Sequence, residues 1–254
     1  MLAVLLAAAG PAPARPEARS TGVVLFDGDF SSGLSAWPTT IHAERIRIVD
    51  DPVLGPTRKV ARFVVRDRDT GPTENPRAQI ETSSTLSAGG EYWLGWSTLF
   101  PRSFRTLPRG GWLTVESVYG APARDSGPMT MTVSGSELRY QRNATSNFDV
   151  PWRMPIVRGR WTDFVWHVKL SRSPSKGFVE IYVNTGSGWR QQALGSGRTR
   201  LYMRTLDRSN GRRANSFRLN NYRKRGMFAK VSVYHAAPKV GTSFAAVAPN
   251  TYER

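Results

Sequence analysis

Apolar and polar residues alternate over short stretches along most of the chain. Arg45-Ile46-Arg47-Ile48 alternates strictly, and residues 59–66, KVARFVVR, form a β-branched apolar run. Residues 91–100, EYWLGWSTLF, carry four aromatics. PMTMTVSG and SELRYQRN flank Gly135-Ser136, which predicts a hairpin. RWTDFVWHVKLS and GFVEIYVNT, joined by RSPSKG, predict a second, and a last strand is expected from Gly226 to Ala236. Glycine and proline interrupt these runs about every ten residues, and no window holds a helical period over several turns. No internal repeat is visible, which argues against a propeller or a solenoid. About a dozen short strands without intervening helices predict an all-β fold, a two-sheet antiparallel jelly-roll sandwich of the concanavalin A-like kind. Residues 21–254 are expected to form it as one domain.

The first twenty residues break the pattern. Residues 2–9 are almost purely Leu, Ala and Val, followed by GPAPARP. This is the apolar run and small-residue end of a secretory leader, too short to span a bilayer, so a secreted protein is expected. The alternative is an Ala/Pro-rich tail on a cytosolic protein. No other segment is apolar enough for a membrane span.

The net charge of +17 adds a partner class. Of 36 basic residues, thirty are arginine, whose planar fork pairs with carboxylate, sulfate or phosphate. Such a field attracts polyanions: nucleic acid, anionic lipid or acidic polysaccharide. The absence of cysteine excludes disulfides, thiolate metal sites and cysteine nucleophiles.

Several chemistries fail on motif grounds. There is no phosphate-binding G-x-x-x-x-G-K-[ST], no G-x-G-x-x-G and no G-x-S-x-G. His42, His167 and His235 are too isolated for H-E-x-x-H zinc chemistry, and the E-x-D-x-x-E strand motif of some glycosidases is missing. Asp27 and Asp29 offer a structural calcium site through i, i+2 spacing, although turn and surface roles are the commoner use of such a pair. No other metal or cofactor is expected.

Three stretches stand out. In NPRAQIETS, residues 75–83, a strand would place Arg77, Gln79 and Glu81 on one face and Ala78 and Ile80 on the other, a polar ladder suited to a groove floor. In GWLTVESVYG, residues 111–120, Glu116 and Tyr119 fall on opposite faces unless a bulge intervenes. In NYRKRGMF, residues 221–228, Tyr222 stands beside Arg223, Lys224 and Arg225. Nearby cations favour phenolate, and a tyrosine can act as base and acid. His167 is read as structural.

In this order along the chain, the motifs resemble jelly-roll polysaccharide lyases, the heparin lyase I-like group and more distantly the alginate lyases. RAQIE is similar to the cleft strand with an R-x-E pattern, and WLTVESVYG to the strand that carries Q-x-H. YRKRGMF is similar to Y-F-K-x-G-x-Y, and residues 160–184 to the W-x-x-x-x-x-H-x-K-x-S hairpin of the heparin lyase-like group. The resemblance implies β-elimination on a uronate-containing polysaccharide, with Arg77, Tyr222 and Tyr119 as catalytic residues. It implies Gln79, Glu81, Glu116, Arg223 and Lys224 as substrate-binding residues, and it needs no redox cofactor. Phe228 stands where an acid/base tyrosine is usual, and Val118 or Tyr119 where a histidine is. A monomer with an acidic polysaccharide as its partner is expected, with no specific nucleic acid and no membrane. The rival readings are a non-catalytic carbohydrate-binding domain on the same fold and nucleic-acid binding through charge alone.

Overall fold

The computed structural model describes residues 22–71, 73–83, 86–120, 128–144, 147–206 and 214–252; the leader-like segment lies outside them. In chain order the strands are β1 (Val24–Asp27), β2 (Thr39–Ile41), β3 (Ile46–Asp51), β4 (Gly55–Arg66), β5 (Arg77–Glu81), β6 (Leu86–Ser87), β7 (Glu91–Leu99), β8 (Leu113–Tyr119) and β9 (Met129–Ser134). They continue with β10 (Glu137–Ala144), β11 (Asn147–Pro155), β12 (Trp161–Lys169), β13 (Phe178–Asn184), β14 (Arg190–Gln191), β15 (Leu201–Tyr202), β16 (Ala214–Arg223) and β17 (Lys230–Gly241). A four-residue helix, α1 (Phe244–Val247), follows. One sheet has nine strands, ordered β14-β13-β12-β7-β17-β4-β3, with β1 on β17 and β15 on β13. The other has eight, ordered β11-β10-β9-β8-β16-β5-β2, with β6 on β16. This is the antiparallel sandwich that the alternation predicts.

The inward phase of each strand makes the core. Trp96 of β7 stacks on Phe164 with centroids 5.1 Å apart and meets Trp166 edge-on at 5.2 Å. Phe217 of the facing sheet lies 5.7 Å from Trp96, so aromatic packing joins the two layers. The nine-stranded sheet is also covered on its back. Val165, Tyr182 and Val247 form a second cluster with Trp93, Trp189 and Phe244. Gly95 permits this approach, because a Cβ there would lie 1.9 Å from the Val247 carbonyl oxygen. Burial on both faces explains why β13 is buried throughout its length.

The last strand is shifted from the expected Gly226–Ala236: Asn221, Tyr222 and Arg223 end β16 in the eight-stranded sheet, and β17 runs from Lys230 to Gly241 in the other. The chain crosses between layers in a turn where Gly226 has φ 78° and donates its N–H to Asp67 Oδ2 at 3.0 Å. Arg225 fastens that turn to the loop before β5, donating Nε to the Glu74 carbonyl at 2.9 Å and Nη2 to Thr70 O at 2.8 Å.

Side chains between the layers hold β16 from below. Asn221 Nδ2 donates to Phe63 O at 3.2 Å and to Val231 O at 3.1 Å, both in the nine-stranded sheet. His235 Nε2 donates to Asn220 O at 3.1 Å, which leaves Nδ1 to accept from the Thr98 hydroxyl at 3.2 Å. Burial holds His235 neutral, with its pKa lowered to about 4. Asn221→Ala should therefore lower stability by about 1–2 kcal/mol, one or two net hydrogen bonds, seen as an earlier urea midpoint.

Candidate functional site

The back of the nine-stranded sheet is covered over β7, β12 and β13, and the outer face of the eight-stranded sheet carries a row of polar side chains, of which Arg77 is exposed and Tyr222 half-buried. Ala78 and Ile80 of β5 and Phe217 and Leu219 of β16 point into the core. Arg77, Gln79 and Glu81, and Ser216, Arg218, Asn220 and Tyr222, take the opposite phase. Antiparallel register joins the two strands residue by residue: Tyr222 opposite Arg77, Asn220 opposite Gln79, Arg218 opposite Glu81. Arg77 and Tyr222, far apart in sequence, are thus a cross-strand pair. The Arg77 guanidinium lies 5.9 Å from the Tyr222 ring centroid, and Trp112 meets the ring edge-on at 4.9 Å.

Beside this pair the polar groups are mutually tied. Glu81 accepts from Arg218 Nε at 2.6 Å and from Gln79 Nε2 at 3.1 Å. Asn220 Nδ2 donates to Ser117 Oγ of β8 at 3.3 Å. The Arg218–Glu81 ion pair is nearly buried, with side-chain exposures of 4% and 14%. Its carboxylate is therefore compensated and orients its neighbours.

The structure moves two expected site residues out of this face. Glu116 is fully buried among core side chains: the ladders shift around Val115, so Val115 and Glu116 both point inward, Glu116 opposite Leu219 and Met131. Neither of its carboxylate oxygens has a hydrogen-bond partner, and burial pushes its pKa well above the ordinary carboxylate range. Arg223 also points inward; its guanidinium is fully buried and pairs with Asp67 Oδ1 at 2.9 Å. Both are corrections to the sequence reading, and both come from side-chain phase.

The remaining expected residues fall as follows. Lys224 is exposed just beyond β16 and donates Nζ to the Gly110 carbonyl at 3.1 Å. Tyr119 stands opposite Ser216 in the ladder, and its side chain lies outside the described residues. Phe228 packs partly against the core under the Arg105 guanidinium, 4.4 Å from its ring centroid. His167 belongs to the back of the other sheet, stacked on Trp93 between Glu91 and Glu180 at 2.7 and 2.8 Å. Asp27 pairs with Lys239 at 3.1 Å, and Asp29 accepts from the Ser31 backbone and hydroxyl, which are the turn and surface roles. Sequence reasoning missed Trp112, Arg218 and Asn220. The alternation in SFRLNNY, residues 216–222, was the available signal for the last two.

Comparison with known proteins supplies the family. The chain has the fold of endo-β-1,4-glucuronan lyase from the fungus Trichoderma reesei: 14% identity, TM-score 0.65, covering 90% of this chain and 99% of that one. It is similar also to an alginate lyase from Aplysia kurodai, with 11% identity, TM-score 0.56, and 87% and 97% covered. A glycoside hydrolase catalytic domain from Coprinopsis cinerea shares the architecture at 11% identity and TM-score 0.57, with 92% and 100% covered. No curated protein matches the chain by sequence. The family model for polysaccharide lyases spans residues 30–242, which takes in every strand but β1 and includes the Arg77–Tyr222 pair on the eight-stranded sheet, so this chain belongs to the polysaccharide lyase family.

Proposed function

We propose that this lyase is secreted and cleaves a polyuronate of the glucuronan or alginate type by β-elimination over β5, β16 and β8. The observation that carries the reading is Arg77 directly opposite Tyr222 on the open face. The proton on C5 of a uronate is weakly acidic while its carboxylate is charged. Arg77, with the Gln79 amide beside it, disperses the negative charge that develops on that carboxylate as the proton leaves. The Tyr222 oxygen takes the C5 proton and returns it to the glycosidic oxygen as the C4–O4 bond breaks. The products are a 4,5-unsaturated uronate and a new reducing end. Glu81 touches no sugar in this scheme; with Arg218 it positions Gln79.

Two observations shape the substrate. The high positive charge concentrates an anionic polymer at the surface. The hairpin behind the heparin lyase-like resemblance is β12–β13, in the sheet that does not carry Arg77 and Tyr222, so it gives no support to a sulfated substrate. Incubation with glucuronan, polymannuronate and polyguluronate should raise ultraviolet absorbance from the new double bond with at least one of them. No rise with any polyuronate would overturn the reading.

A further inference from the structure

The ladder that pairs Arg77 with Tyr222 continues across the sheet. Tyr222 stands opposite Thr114, Thr114 opposite Thr132, Thr132 opposite Arg139, and Arg139 opposite Arg153. Direct partners in antiparallel strands point to the same face, so Arg77, Tyr222, Thr114, Thr132, Arg139 and Arg153 form one row over six strands. Side-chain length along it falls from Arg and Tyr to two threonines and rises to two arginines. The floor therefore dips over β8 and β9 between cationic ends. Thr132 keeps its hydroxyl low by donating to Gln141 Oε1 at 2.6 Å.

At the far end, charge is out of balance. Arg139 and Arg153 are directly opposed, and like charges in that position repel. One carboxylate serves both: Glu137 Oε2 lies 2.7 Å from Arg139 Nη2 and 3.7 Å from Arg153 Nη1. Their side chains remain 27% and 55% exposed, reachable from solvent.

We infer that Arg139 and Arg153 form a second carboxylate-binding subsite, three and four strands from Tyr222, which seats a uronate of the same chain and makes binding depend on oligomer length. The inference rests on the reading of Tyr222 as the reacting centre. Strands lie about 4.8 Å apart, close to the length of one pyranose in an extended 1,4-linked chain, so a polymer laid along the row advances roughly one sugar per strand. Its third or fourth sugar beyond Tyr222 then reaches the arginine pair, and shorter oligomers do not.

The test is a binding series with glucuronate oligomers from dimer to octamer. In the wild type, affinity should step up once the oligomer exceeds about four sugars, given the strand spacing. Arg139→Ala/Arg153→Ala should remove that step, weakening octamer binding roughly tenfold more than dimer binding, with a shallower salt dependence. Arg153→Ala alone, at an exposed position, should lower the step by severalfold and keeps the test decisive if the double variant misfolds. A step that survives both variants, or equal losses at every length, overturns the subsite. A wild type that shows the step but releases no unsaturated product overturns the lyase reading and leaves the subsite standing.

Discussion

Tyr222→Phe should abolish the ultraviolet-absorbing product while the polymer still binds. The substitution keeps the ring that Trp112 and Arg77 flank and removes only the hydroxyl. If that hydroxyl carries the proton from C5 to the leaving oxygen, kcat falls by about 10²–10⁴-fold with KM little changed. Arg77→Ala should behave differently. It removes a group that meets the carboxylate in the ground state and more strongly in the transition state, so kcat falls by about 10²–10³-fold and KM rises as well. The split between the two variants separates proton transfer from carboxylate binding. A Tyr222→Phe enzyme that turned over at the wild-type rate would move the proton to another hydroxyl, with Tyr119 the first to test.

Replacing Glu116 by methionine should make the protein more stable by about 1–3 kcal/mol near pH 8, although an acidic residue is lost. The carboxyl sits in the core without a partner, and burial holds its pKa well above the ordinary carboxylate range. Between the unfolded value and the raised folded one, the native state binds more protons than the unfolded state, so stability falls as pH rises through that window. Below the unfolded value the contribution is fully present. Two other buried groups contribute at acidic pH. His235, lowered to about 4 from 6.5, adds stability as pH rises across that interval. Asp163, raised to about 6 from 3.8, removes stability across its own. Glu116→Met should flatten the decline that the buried carboxyl imposes, seen in urea midpoints taken as a pH series on wild type and variant. An unchanged slope would mean that the carboxyl finds compensation within the native core.

The layered architecture was legible because burial on one or both faces imposes period two or continuous apolar runs, and β4, β7, β12 and β13 show both patterns. β11, with prolines at 151 and 155, and the polar first half of β16 were not legible. A strand whose outward residues form a binding floor carries too few apolar positions to announce itself. Arg77, Gln79 and Glu81 could be placed because RAQIE is a clean alternation in a strand without a bulge. Glu116 and Arg223 could not. The first depends on a ladder shift beside Val115, and the second on where β16 ends, and neither leaves a mark in composition. The row from Arg77 to Arg153 depends on register among six strands, which no single stretch encodes.

That same shift changes how this chain should be aligned with its relatives. Across Val115 the strand changes reading frame: before it, even-numbered positions look outward at Thr114, and after it, odd-numbered ones do at Ser117. A relative whose strand lacks the insertion will match one half and be a residue out of step in the other. Glu116 then does not align with the glutamine of Q-x-H; the positions to compare with that pattern are Ser117 and Tyr119.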